Sequence, residues 1–306
     1  MSAEVSDQAR VQRLEPPSGP VRMVLNTDTY NETDDQFALV HALLSPERLQ
    51  VEAIYAAPFH NSRSTGPGHG MELSYQEILR LLGELQLPAE VPVERGSTDY
   101  LSGAGPGDSA AVRDLVARAM ASPAEDPLYV VAIGAATNVA SALLLEPEIA
   151  GRVVLVWLGG QALHWPDTAE FNLRQDVAAA RVLLDCGAPL VLLPCLGVVS
   201  HLHTSVPEIE RHVAPAGGIG RLLAQRFMEA CASAPGRSTA IWDMAAVGYL
   251  IDPEWVPTQL VSSPVLTDQL TWQLDGDRHQ IRCATYVHRD RVLGDLFAKL
   301  AEHTRQ

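Results

Sequence analysis

From residue 21 onward, short apolar runs alternate with stretches of helical periodicity, and this alternation limits the possible folds more than any other feature. Residues 21–25, 51–57, 128–133, 153–158 and 189–194 have strand length and near-continuous apolar character. Runs of that kind suit strands covered on both faces. Between them, residues 36–44, 71–85, 108–121, 137–145 and 176–186 read as helices; in the second, Leu73, Ile78, Leu81 and Leu82 share one face. Residues 206–228 read as helices broken at Gly217-Gly218, followed by helices over 242–251 and 291–303. The expectation is an α/β fold: a mostly parallel open sheet flanked by helices. Residues 271–274 and 280–287 are expected to pair as a small antiparallel element near the C-terminus. Residues 1–20, polar and carrying Pro16, Pro17 and Pro20, are expected to form a flexible tail. No repeat or linker divides residues 21–306, which are expected to be a single domain.

Charge narrows the partners. The 306 residues hold 37 acidic against 22 basic side chains, a net charge of -15, with no basic cluster. That balance argues against a nucleic-acid polymer or an anionic membrane surface and favours a metal ion or a small ligand. Cys186, Cys195, Cys231 and Cys283 are scattered and have no metal-ligand spacing, which fits buried thiols in a reducing compartment. No apolar run reaches membrane-spanning length and no signal-peptide pattern is visible, so the expected location is cytoplasmic.

The stretch from Asn26 to Asp35 stands between the first strand and the first long helix. It holds Asp28, Glu32, Asp34 and Asp35 in the crevice where open α/β sheets bind ligands. Helix capping accounts for Asp34 or Asp35. It does not account for Asp28 at a strand end. Clustered carboxylates repel one another unless a cation joins them, and a hard divalent cation completed by a polyhydroxy ligand satisfies such a set. Other polar residues fall at the same sheet edge: His60 and Asn61 after the second strand, Thr137 and Asn138 after 128–133, Gln161, His164, Glu170 and Asn172 after 153–158, and Trp242 and Asp243 at a late helix. Singly they read as turn, capping or loop residues. Together they suit a cation held by carboxylates and a sugar held by amides.

In this order the residues resemble the inosine-uridine-preferring nucleoside hydrolases over about residues 21–300. The matching pieces are Asp28 with Asp34-Asp35, Asn61, Thr137-Asn138-Val139-Ala140, Trp157-Leu158-Gly159-Gly160, Ala169-Glu170-Phe171-Asn172, Trp242-Asp243 and Arg289-Asp290-Arg291. The resemblance implies calcium-dependent hydrolysis of the N-glycosidic bond of a small-molecule ribonucleoside, in a homodimer or homotetramer. It implies that Asp28 binds calcium and takes the proton of the attacking water. Asp35, Asp243 and the Thr137 carbonyl would complete the metal set. Asp34, Asn61, Glu170 and Asn172 would hold ribose hydroxyls, with His164 where a further sugar-binding Asn is usual.

Three departures concern the base half of the site. Five residues separate Asp28 from Asp34, two more than is usual, so Tyr30, Asn31 or Glu32 comes within reach of the substrate. Trp242 stands where the family carries a His that protonates the leaving base; indole is no acid at neutral pH but can stack on a base. Residues 59–75, with His69, Glu72 and Tyr75, do not match the usual loop. The expected substrate is therefore a purine or modified nucleoside or another N-riboside. A ribonucleoside-binding protein with weakened catalysis is the rival.

Overall fold

The computed structural model describes residues 6–101, 106–123, 125–231 and 236–305. Its strands are β1 (Val21–Thr27), β2 (Leu49–Ala56), β3 (Val93–Arg95), β4 (Leu128–Ala132), β5 (Val153–Leu158), β6 (Leu190–Leu193), β7 (His203–Ser205), β8 (Ser238–Ala240), β9 (Thr258–Ser262), β10 (Val265–Leu266), β11 (Trp272–Gln273) and β12 (Gln280–Ala284). Its helices are α1 (Asp7–Arg13), α2 (Asp34–Leu43), α3 (Pro67–Leu85), α4 (Ala110–Ala121), α5 (Thr137–Leu145), α6 (Phe171–Gln175), α7 (Val177–Asp185), the single turn α8 (Val206–Glu208), α9 (Gly217–Ala230), α10 (Met244–Ile251) and α11 (Arg289–His303).

Eight strands form one sheet in the order β3-β2-β1-β4-β5-β6-β12-β9, parallel throughout except where β9 runs antiparallel to β12. Residues of the central strands alternate between two apolar layers, as the period of two demands. Leu25, Val131 and Val156 face a core with Phe37 of α2, Phe227 of α9 and Leu296 of α11. Val24, Val130 and Trp157 face a second core with Leu115 of α4, Val139 of α5 and Leu183 of α7. Both faces being covered explains why these strands read as unbroken apolar runs.

The chain leaves β1 outward to β2 and β3, then returns across β1 to β4 and proceeds the other way. The strand order therefore reverses between β1 and β4, and their carboxyl ends open a crevice there. Asp28 follows the end of β1, and Gly134 lies two residues beyond the end of β4.

Two expectations are corrected. Residues 271–274 do not pair with 280–287. Instead β12 enters the main sheet, parallel to β6 and antiparallel to β9, burying Ile281 and Cys283, while β11 pairs with β10. The apolar alternation of β12 is what fits it for the interior of the sheet. The leader is not wholly an extended tail either: Ser6 caps α1, Leu14 is buried, and the Arg10 Nε donates to the Gly187 carbonyl at 2.7 Å. Residues 1–5 of that leader lie outside the described residues.

A candidate active site at the strand-order reversal

The carboxyl ends of β1, β4, β5 and β6 surround a cavity of about 270 Å³. Asp28, Asp34, Asp35, Glu170, Asn172, Trp242 and Asp243 line it, as do Asn31, Glu32, Gln161 and Cys195. Asp34 and Asp35 reach it from the first turn of α2, behind Thr33, and Asp243 from the residue preceding α10. One carboxylate oxygen from each of Asp34, Asp35 and Asp243 lies within 4.8 Å of the others. All three are buried, as is Asp28.

Asp28 is the anomaly of the group. Both of its carboxylate oxygens are buried and neither has a hydrogen-bond partner among the described residues. A buried carboxylate left so costs several kcal/mol, roughly, unless a proton or a cation arrives. Burial, then the charges of Asp35, Asp34 and Glu32, push its pKa well above the usual carboxylate range. Burial likewise raises Asp34 and Asp243, each also repelled by neighbouring carboxylates. Burial pushes Asp35 up to about 7, with the Thr27 hydroxyl bond to it pulling down and the charge of Glu32 pushing up. Four acids crowded in a buried crevice, every donor an oxygen, fit a hard divalent cation. Gly134 makes room for the arrangement: a Cβ there would lie 2.7 Å from Asp28 Oδ1.

The opposite wall is fixed by backbone. Glu170 caps α6 and accepts N–H bonds from Asn172 at 2.8 Å, Leu173 at 3.0 Å and Gly160 at 3.1 Å. Gly160 is left-handed (φ +67), and a Cβ there would meet Thr168 Oγ1 at 2.5 Å. Asn172 Nδ2 donates to the carbonyls of Ile133 and Leu158 at the ends of β4 and β5. That leaves its Oδ1 to accept from a ligand. Trp242, partly buried, and Leu196 form the apolar side.

Not every residue expected at the site arrives there. Asn61 lines an adjoining cavity of about 280 Å³ and donates to Asn31 Oδ1 at 2.7 Å. His164 is exposed on the loop after β5, edge-on to Trp165, and Gln161 takes the place on the cavity wall. The Thr137 side chain donates to Asp176 Oδ2 at 2.7 Å, a bond that leaves its main-chain carbonyl, the group expected at the metal, uninvolved. Asn26 and Asn138 bond to each other at 2.8 Å and tie β1 to the Ala56 and Ala135 carbonyls, a structural role. Gln161 is expected at this edge from sequence without a role of its own, and Cys195, which also follows a strand end, is the lining residue that sequence reasoning missed. Burial raises the Cys195 thiol well above its usual range, so it faces the cavity uncharged. No histidine lines this cavity among the described residues.

Comparison with known proteins bears on the same residues. A family model described as inosine-uridine preferring nucleoside hydrolase matches residues 23–294. Pyrimidine-specific ribonucleoside hydrolases RihA of Salmonella paratyphi A and Salmonella enteritidis are each 30% identical over 224 residues, spanning 64% of this chain and 68% of the relative. The fold is similar to that of a purine-preferring ribonucleoside hydrolase from Gardnerella vaginalis, with a TM-score of 0.75 at 22% identity over 93% of this chain and 99% of that one. An inosine-guanosine nucleoside hydrolase has a TM-score of 0.71 at 20% identity, covering 92% of this chain and 98% of its own.

Proposed function

This chain belongs to the inosine-uridine preferring nucleoside hydrolase family, hydrolases of the ribonucleoside N-glycosidic bond, and on that premise we propose that it works with one calcium ion and on a nucleoside whose base stacks on Trp242. The observation that carries this reading is the pair of orphaned, buried oxygens of Asp28 beside the Asp34, Asp35 and Asp243 cluster. Asp28, Asp35 and Asp243 would hold the cation with the Thr137 carbonyl, and Asp34 shares an oxygen cluster with Asp35 and Asp243. When bound, calcium supplies Lewis acidity toward water and toward sugar hydroxyls.

The chain's own groups account for the rest. Asp28, ionised once a cation offsets its neighbours, takes the proton of the attacking water at a carboxylate oxygen. Breaking the glycosidic bond builds positive charge on the ribose ring, and the carboxylates of Asp34 and Glu170 favour that charge. Asn172 Oδ1 accepts from a ribose hydroxyl while its Nδ2 stays tied to the sheet. Trp242 offers the base an aromatic face and cannot protonate it. The leaving group must then depart without an acid from that position, which favours a purine or a modified base that leaves readily. The named relatives differ here, pyrimidine-specific in one case and purine-preferring in another, so the base pocket of this chain decides.

The lack of a histidine along the cavity among the described residues favours one second reading, a ribonucleoside-binding protein with little turnover. Sugar release separates the two. Incubation with inosine, uridine and modified ribonucleosides should liberate reducing sugar in calcium and not in chelator. Tight nucleoside binding without release would support the second reading instead.

A further inference from the structure

The loop from Asp28 to Asp34 is held from outside. Tyr30 N donates to Ser74 Oγ of α3 at 3.4 Å, and the Arg226 guanidinium of α9 lies 5.4 Å from the centre of the Tyr30 ring. Arg226 is itself fixed on both Glu77 oxygens at 3.1 Å. Gln36 reaches back to the Thr29 carbonyl at 3.2 Å and across to Glu77 at 3.3 Å. With Tyr30 anchored outward, Asn31 turns inward. Its N–H donates to the Asp28 carbonyl at 2.7 Å, and its side chain, 5% exposed, lines the catalytic cavity with Asp28 and Asp34.

The orientation of the Asn31 amide follows from its neighbour. Asn61 Oδ1 accepts from the Arg63 N–H at 2.8 Å, which points Asn61 Nδ2 at Asn31 Oδ1, 2.7 Å away. The Asn31 oxygen is thereby occupied, and its Nδ2 has no hydrogen-bond partner among the described residues. An N–H₂ donor without a protein partner among the described residues and the Asp34 carboxylate, an acceptor, thus line one cavity. A hydroxyl satisfies both at once, accepting from the amide and donating to the carboxylate. A lone base carbonyl or unprotonated ring nitrogen satisfies only the amide; a base edge that pairs a carbonyl with an N–H serves both, and deoxy substrates separate it from a hydroxyl.

We propose that Asn31 binds a ribose hydroxyl and that Asn61 is the positioning residue that aims it. The proposal rests on the reading of this cavity as a ribonucleoside hydrolase site. It moves direct sugar contact from Asn61 to a residue carried by the longer loop.

The test is steady-state hydrolysis of inosine and uridine and of their 2′-deoxy and 3′-deoxy forms by wild type, Asn31→Ala, Asn61→Ala and the double variant. A neutral hydrogen bond of this kind is worth about tenfold. Asn31→Ala should raise KM roughly tenfold for the ribonucleosides with kcat changed less. For the deoxy form that lacks the contacted hydroxyl the penalty should vanish. Asn61→Ala should raise KM in the same direction, and the double variant should be no worse than Asn31→Ala alone. An unchanged KM in Asn31→Ala, or an equal penalty with all three sugars, would overturn the proposal; additive losses would overturn the positioning role of Asn61. If wild type releases no sugar, the hydrolase reading fails separately. Uridine and inosine are then titrated directly onto wild type and Asn31→Ala by calorimetry, where weaker binding by the variant supports the contact and equal binding refutes it.

Discussion

Both Asp28 carboxylate oxygens are buried without a hydrogen-bond donor among the described residues, and three neighbouring acids press on them. A residue placed at such a cost serves chemistry better than stability. Asp28→Asn keeps the shape and removes the repulsion. It should lower turnover by about 10²–10⁴-fold, the usual share of a general base, while thermal stability in chelator stays equal or rises. Retention of most activity would remove Asp28 from water activation. Gly134→Ala tests the same carboxylate from the other side. The added Cβ has only 2.7 Å to Asp28 Oδ1, so it should displace the carboxylate and cost roughly 1–3 kcal/mol in denaturant unfolding, together with most of the turnover. Trp242→Ala removes the stacking face and should raise KM several-fold for purine ribonucleosides, by an amount equivalent to about 1 kcal/mol. A KM that does not move would make Trp242 part of the wall only.

At the scale of elements, the site exists because α2 and α10 both begin at one crevice and bring Asp34, Asp35 and Asp243 within 4.8 Å. Asp243→Ala should lower the calcium retained after loading and dialysis relative to wild type, measured by atomic absorption, with the helices intact by circular dichroism. Unchanged metal content would take Asp243 out of the ligand set. The central strands and their helices were legible because burial on both faces leaves a continuous apolar run. The edge strands β3 and β9 were not: each has one side open, their side chains are mixed, and nothing in Val93–Arg95 or Thr258–Ser262 separates strand from loop. The same limit applies at the site. Asp28, Asp34, Asp35 and Asp243 were legible from their placement at strand ends and helix starts. The sequence could not tell which side chain of a loop turns inward, so His164 and Gln161 exchange places, and Asn61 stands behind Asn31. Pairing of residues 271–274 failed for a related reason, since a short strand has several possible partners and packing chooses among them.

The whole molecule carries the cluster as a pH-dependent load. Asp35 titrates near 7 in the fold against the ordinary 3.8, and Asp28, Asp34 and Asp243 are raised as well. Between those values the folded chain holds more protons than the unfolded chain, so stability falls as pH rises. In chelator, the melting temperature should therefore drop from about pH 4 toward pH 7, offset in part by other groups. Calcium should reverse the drop at pH 7 and above by binding the folded state alone. A melting temperature indifferent to calcium at pH 7.5 would argue against a cation in the cluster. The central claim is that this acid crevice hydrolyses a ribonucleoside with Asp28 as the base and calcium as its partner. The most direct measurement is reducing-sugar release from a ribonucleoside panel by wild type and Asp28→Asn, each in calcium and in chelator. The account predicts release only by wild type in calcium. Release that persists in chelator, or in Asp28→Asn at a wild-type rate, would contradict it.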